Sequence, residues 1–375
     1  MEQLDIFSFL PKDQAEQYTK KVATDWKWSF SDYPTRDKNA LTAFSCFACG
    51  GGSTMGYKLA GVNVLGCCEI DKRMNDIYIH NHKPKYNYLM DIRDFNNLDN
   101  LPDDLYNLDI LDGSPPCTTF SMSGIREENW GKAKKFREGQ AEQTLDDLSF
   151  IFIETVKKLR PKVVIMENVE GLLLGEAWGY VQKIYSDFKE AGYKTAHFLV
   201  KGENCGIPQT RHRVFFVSIR NDIGIDPIYI DMSFNYEPIL YKEIKSGTGK
   251  PINPNSVIYK YAKNIEPGDR ALCDVVERQG EPRKFFSEII VWDNDVCPTI
   301  TAKGQIYRAY ELAHISVEDI IHAQTFPEDF DFINRSVNNV CYICGMSVPP
   351  VMIKRVVEKL INQGVFDYKL KEVTL

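Results

Sequence analysis

The chain has 375 residues, of which 43% are hydrophobic and 26% charged, with a formal net charge of −7. That composition can bury a sizeable core and excludes a disordered or low-complexity chain. No uninterrupted apolar run approaches the roughly 20 residues of a membrane-spanning helix, and "MEQLDIFSFLPKDQAEQY" lacks the basic start and apolar core of a signal peptide.

The ten cysteines are therefore expected to be reduced, and mostly buried or chemical. The acidic total leaves nucleic acid open as a partner, because phosphate attraction depends on where Lys and Arg sit.

Residues 1–40 read as a peripheral extension, polar and aromatic with a proline break. From Leu41 strands and helices alternate. "LTAFSCF" reads as a buried strand, "ACGGGS" as a tight turn, and "TMGYKLAG" as a helix ended by Gly61. "VNVLGCCE" and "MNDIYIHNH" repeat the strand–helix unit. "LDILD" is a further strand. "DDLSFIFIETVKKLR" has helical apolar spacing stopped by Pro161, and "KVVIMENV" is a strand. "AWGYVQKIYSDFKEAGY" is a helix closed by Gly192, and "RVFFVSIR" is a strand. Such alternation predicts crossover units, hence an α/β fold on a mostly parallel sheet.

The rhythm fails near Asp222. Residues 222–310 read as a smaller mixed domain, and 311–375 as a return to the first domain (41–221), ending in the Pro-started, Gly-stopped helix of "VPPVMIKRVVEKLINQG".

In open α/β sheets ligands bind beyond the carboxyl ends of the strands, and four loops there carry unusual residues. Gly50, Gly51 and Gly52 follow the first strand, and Glu69 ends the second. A glycine turn allows a ligand close to the backbone, and an acid about 20 residues on can hold a ribose. The G-x-G-x-x-G spacing fails at Met55, and no G-K-[ST] follows, so an adenosine-type ligand without a pyrophosphate fits better than ATP.

Pro115 and Pro116 stiffen the loop "GSPPCTTFS" ahead of Cys117. A thiol of pKa about 8.5 is only a few per cent thiolate near neutral pH, so it needs an activated electrophile or a pKa-lowering site. Glu167 in "MENVEG", at a strand end and partly desolvated, can donate a proton. Arg211 and Arg213 in "QTRHRV" alternate, point to one side, and can hold a carbonyl or phosphate oxygen.

In this order the four motifs resemble the cytosine-5 DNA methyltransferase family, over roughly residues 42–220 and 310–360. "AQTFPEDF" and "GMSVPPV" are similar to its last two blocks. The resemblance implies a Rossmann-like, S-adenosylmethionine-dependent methyltransferase domain with a target-recognition domain at 222–310. Cys117 adds to carbon 6 of a cytosine flipped out of duplex DNA, Glu167 supports protonation at nitrogen 3, Arg213 binds the 2-carbonyl, and Arg211 supports the thiolate.

By the same match, Phe47, Gly50, Gly51, Gly52, Glu69, Asp91, Ile92, Pro116, Leu148 and Ser347 bind the cofactor. Ser121, Lys134, Lys135, Arg137 and Thr299 meet DNA, the segment 121–140 closing over the base. No metal is implied, and a cytoplasmic monomer in a bacterial or phage-infected cell is expected.

Cys49, Thr118, Met346 and "HIS" at 314–316 depart from the usual pattern. Two alternatives remain at this stage. One is an RNA (tRNA) cytosine methyltransferase. The other is a zinc or redox protein using Cys46, Cys49, Cys341 and Cys344, two C-x-x-C pairs able to supply four thiolates.

Overall fold

The computed structural model describes residues 20–35, 39–116, 148–303 and 305–367. Cys117, Ser121, Lys134, Lys135 and Arg137 lie outside the described residues.

The centre of the fold is a seven-stranded sheet. Its strands are β1 (Thr42–Cys46), β2 (Asn63–Glu69), β3 (Tyr86–Leu89), β4 (Ile110–Gly113), β5 (Val163–Val169), β6 (Tyr193–Lys201) and β7 (His212–Arg220). Their spatial order is β3-β2-β1-β4-β5-β7-β6. β1 pairs in parallel with β2 and β4, β2 with β3, and β4 with β5. β7 runs against both β5 and β6. Helices α1 (Gly52–Leu59), α2 (Lys72–His82), α3 (Ile92–Asn96), α4 (Leu148–Leu159) and α5 (Trp178–Glu190) connect the first six strands. The expected α/β architecture is present, with one strand reversed.

The central strands are continuous apolar runs because helices cover both faces: all four residues of β4 and six of the seven in β5 are buried. α5 buries Tyr180, Val181, Ile184 and Phe188 on one face, the spacing of an amphipathic helix. Pattern reading missed β3 and β6, and both are sheet edges. β3 has no buried residue, and β6 buries only Tyr193, Ala196 and Val200. An edge strand with a wet face carries no apolar run to announce it.

The carboxy-terminal helices α9 (Val317–Ala323), α10 (Val337–Met346) and α11 (Pro350–Asn362) return to this core. α11 crosses α1 at Gly56, where any Cβ would lie 2.4 Å from the Pro350 carbonyl oxygen. The span Val337–Asn362 is long and apolar enough to cross a membrane by composition alone, but 78% of its most apolar stretch is buried inside the protein. Core burial accounts for it.

Residues 241–308 add short helices α6 (Tyr241–Ile244), α7 (Val257–Ala262) and α8 (Leu272–Arg278), and strands β8 (Ile289–Val291) and β9 (Ile306–Arg308), which with β10 (Ala313–His314) make a three-stranded sheet. Ile252, Tyr261, Leu272, Val275, Val276, Ile290 and Tyr307 form a separate apolar cluster. Ile230, Ile239, Tyr241 and Ile244 instead join the main core. A buried knot ties the two parts together. Arg308 contacts the Asp319 carboxylate at 2.7 Å, and the Tyr241 hydroxyl donates to the same oxygen.

The amino-terminal stretch is not peripheral throughout. Trp28 is buried and donates its indole N–H to the Thr325 carbonyl at 2.9 Å. Asp25 pairs with Lys354 and Arg355 of α11, so residues 20–33 strap the carboxy-terminal helices. Of the tryptophans in that segment, Trp28 is a core residue and Trp26 packs half-buried against the same core.

Candidate active site

A cleft of about 270 Å³ lies at the carboxyl ends of the parallel strands, where α/β sheets place their ligands. Phe47, Glu69, Asp91, Ile92, Pro116, Leu148, Glu167, Arg211 and Arg213 all line it. Strand ends scattered over 167 residues of sequence thus meet in one space.

The turn after β1 is built from left-handed steps at Phe47 (φ 56°), Cys49 (φ 47°) and Gly51 (φ 90°). Glu69 secures it, accepting from the Cys49 N–H and the Asp71 N–H, each at 2.8 Å. Burial pushes the Glu69 carboxyl above its usual range.

The three glycines do not line the cleft, and the reason expected for them needs correction. A Cβ on Gly50 would strike Ile343, on Gly51 His82, and on Gly52 the Val348 carbonyl at 2.3 Å. Their small size serves close packing inside the protein. Ser347 is likewise buried, its hydroxyl donating to the Ile343 carbonyl at 2.8 Å, while its neighbours Met346 and Val348 face the cleft. Asp91 reaches the cleft but also caps α3 through the Arg93 N–H at 2.8 Å.

The reversal of β7 creates the polar end of the site. In the antiparallel register Val169 faces Arg213 and Glu167 faces Phe215, so Glu167 and Arg213 are diagonal neighbours on one face. Arg213 Nε meets Glu167 Oε1 at 2.7 Å, with both side chains largely buried. Desolvation works against the Arg213 charge, and the Glu167 carboxylate supports it.

Arg211 shares the cleft as the alternation predicted, but its Nη atoms donate to the Ile300 and Gly345 carbonyls at 3.1 and 3.3 Å. Two of its donors hold main chain. Next to it, Gln209 accepts from the Ile300 N–H and donates to Gln324, which donates to the Ser347 carbonyl. Thr299 is half-buried beside this seam, its hydroxyl donating to the Thr210 carbonyl at 2.9 Å.

Several cleft residues escaped sequence reasoning. Asn168 donates to the Pro115 carbonyl at 3.4 Å, tying the strand that carries Glu167 to the proline loop. Its place in "ENV" was the available signal. Met90 and Tyr342 carried none, since each looks like core.

Asp112, buried below the loop, accepts from Ser45 and Tyr57 at 2.6 and 3.1 Å. Burial pushes its carboxyl up to about 7, with Glu167 adding to the rise. The folded state therefore holds this proton more tightly than the unfolded chain. Its contribution makes stability fall as pH rises from about 4 to 7, by on the order of 3 kcal/mol if fully expressed. Asp112→Asn is expected to flatten the urea-unfolding stability over that range, and an unchanged pH slope would refute the assignment.

Eight of the nine described cysteines are buried, Cys49 being the exception. Among the described residues no three His, Cys, Asp or Glu come together as metal ligands. Burial holds the Cys46 and Cys344 thiols well above their usual range. The zinc reading for Cys46, Cys49, Cys341 and Cys344 is set aside on this geometry.

The anchored acid at the end of β2 and the apolar slot beside it, at the strand ends of this sheet, fit an S-adenosylmethionine-dependent methyltransferase. The donor set suits that cofactor: the fixed Glu69 carboxylate for paired hydroxyls, and Phe47, Ile92, Pro116 and Leu148 for a flat base.

The model of the C-5 cytosine-specific DNA methylases matches residues 41–362, and the chain belongs to that family. It is similar to the Type II methyltransferase M.FnuDI of Fusobacterium nucleatum (26% identity, covering 89% of this chain and 99% of that one). It is also similar to M.Sau96I of Staphylococcus aureus (25%, covering 87% and 77%).

Among solved structures, a prophage-encoded protein described as a DNA modification methyltransferase from E. coli superposes with a TM-score of 0.60 at 19% identity, covering 86% of this chain and 99% of that one. Spodoptera frugiperda DNMT2 superposes with a TM-score of 0.58 at 15% identity, covering 86% and 100%. The protein is a DNA cytosine-5 methyltransferase that uses S-adenosylmethionine. The RNA alternative finds no better support.

Proposed function

We propose that the protein methylates one cytosine within a specific duplex DNA sequence, on a base flipped into the cleft, through a covalent bond to Cys117. The observation that carries this is the sharing of one cleft by Glu69, the Glu167–Arg213 pair and the end of the proline loop at Pro116. Cofactor and base can meet only where both sets of groups converge.

Bound S-adenosylmethionine supplies an electrophilic methyl group. Glu69, Phe47, Asp91, Ile92, Pro116 and Leu148 would hold it, with Gly50, Gly51, Gly52 and Ser347 shaping the wall from behind. The Cys117 sulfur adds to carbon 6, and Glu167 holds the proton at nitrogen 3 that neutralises the charge developing on the ring. Arg213 holds the 2-carbonyl oxygen and keeps Glu167 oriented. Addition at carbon 6 would make carbon 5 an enamine carbon, nucleophilic toward the methyl group that the bound cofactor would supply, with S-adenosylhomocysteine as the departing thioether. Loss of the carbon 5 proton then expels the thiolate and restores the ring.

Unstacking the base costs a few kcal/mol, which phosphate contacts from Ser121, Lys134, Lys135 and Arg137, and a target-strand contact from Thr299, would offset. Residues 222–310 would read the sequence, and the enzyme would act as a monomer in the cytoplasm. Arg211 would support the thiolate while clamping the seam between the recognition segment and the cleft.

The test is transfer of labelled methyl from S-adenosylmethionine into unmethylated duplex DNA and tRNA in parallel, by wild type and Cys117→Ser. Label in DNA, abolished by the substitution, is expected. Label in tRNA alone, or label in DNA that survives the substitution, would sink the reading.

A further inference from the structure

α10 gives the cleft a wall, and its Tyr342 lies outside every motif so far used. Tyr342 lines the cleft together with Gly345 and Met346. Its ring is covered by the Arg73 guanidinium, 5.0 Å from the ring centroid. The same guanidinium donates through Nη2 to Asn339 Oδ1, one turn earlier on α10. Asn339 is buried and donates in turn to the Phe332 carbonyl at 3.0 Å, so the Arg73 anchor is rigid.

Arg73 is itself placed by the acid that ends β2. Glu69 accepts from the Asp71 N–H at 2.8 Å, and Asp71 accepts from the Arg73 N–H at 2.9 Å. A continuous run of contacts therefore leads from Glu69 through the start of α2 to the Tyr342 ring. α2 and α10 are joined by these contacts at the cleft wall, although Arg73 and Tyr342 lie 269 positions apart in sequence. An aromatic ring fixed in this way at a cavity wall loses little freedom when a ligand meets it.

We infer that Tyr342 is a cofactor-binding residue and that Arg73 is its positioning residue, together setting how tightly the cleft holds S-adenosylmethionine. The inference rests on the reading of the cleft as the cofactor site. It extends that site to a helix contributed by the far end of the chain. Tyr342→Ala removes the ring, Tyr342→Phe keeps it, and Arg73→Ala frees it. Arg73 is exposed, so its variant separates binding from folding should Tyr342→Ala be unstable.

The experiment is calorimetric titration of the intact protein with S-adenosylmethionine and with S-adenosylhomocysteine, alongside the KM for DNA. Phe47→Ala serves as a control for the cleft. Tyr342→Ala is expected to weaken both ligands about tenfold, the size of one buried ring contact. Arg73→Ala should weaken them about threefold, as befits a partly exposed cation–π contact. Tyr342→Phe should stay within about twofold of wild type on the same scale, and the KM for DNA should not move.

Unchanged affinities in Tyr342→Ala and Arg73→Ala, with Phe47→Ala weakened, would overturn the inference and leave the cleft assignment standing. Unchanged affinities in all of them, Phe47→Ala included, would overturn the cleft assignment itself. A raised KM for DNA with unmoved cofactor affinity would place the ring on the substrate side, and so also overturn it.

Discussion

Glu167→Gln is expected to lower the rate of methyl transfer by roughly 10²–10⁴, the usual worth of a positioned proton-transfer group. The substitution keeps the shape of the side chain and an oxygen able to accept from Arg213 Nε, now at 2.7 Å from Glu167. What it removes is the negative charge and the ability to share a proton with ring nitrogen 3. The addition of Cys117 to carbon 6 would then build charge on the pyrimidine with nothing to neutralise it. Glu69 is held by the Cys49 and Asp71 N–H groups and not by this pair, so S-adenosylmethionine affinity should be retained. Single-turnover transfer into duplex DNA, with calorimetry of cofactor binding beside it, measures both. A variant within tenfold of wild type would remove Glu167 from the chemistry.

Arg213→Ala should show the second large effect, and on stability as well as rate. It strips the partner from a Glu167 side chain that is only 9% exposed. Breaking one side of a buried ion pair costs about 3–5 kcal/mol, because the remaining charge is left without compensation. Replacing both members together is far cheaper for the same reason. Glu167→Gln combined with Arg213→Met should therefore be more stable than Arg213→Ala alone, although it should be inactive.

Urea midpoints of the variants test this directly. Additive losses, with the double variant less stable than Arg213→Ala, would mean that the 2.7 Å contact carries little energy. On the proposed mechanism activity should be absent from both, since neither would retain a cation for the 2-carbonyl oxygen.

The elements that the sequence announced are those whose burial is one-sided or complete. β4 and β5 read as apolar runs, and α4, α5 and α11 as amphipathic or capped helices, because each shows its packing in its own residues. β3 and β6 did not, being edges with a polar face. The tryptophans of the amino-terminal strap did not either, since their partners, Thr325 for Trp28 and His322 for Trp26, lie some 300 residues away.

Site chemistry was legible where a motif is local. Glu69, Glu167, Arg211 and Arg213 were singled out as a strand-end acid, a desolvated carboxyl and a pair of alternating arginines, and all four line one cleft. Cys117 was equally plain in sequence, at the end of its proline loop.

Long-range geometry decided the rest. Periodicity marks β7 as a strand but carries no direction, and only its reversal brings Arg213 at its start beside Glu167 near the end of β5. Run parallel to β5, the same residues would put that arginine at the far edge of the sheet. The glycines after β1 declare a tight turn in any reading. That Gly50 and Gly52 make room for Ile343 and Val348 depends on where the carboxy-terminal helices dock. Tyr342 enters the cleft through the same docking. Local patterns determine which residues can do chemistry, because side-chain type and spacing are properties of the chain. Which of them meet is set by strand direction and helix docking, because these depend on how distant apolar faces find one another.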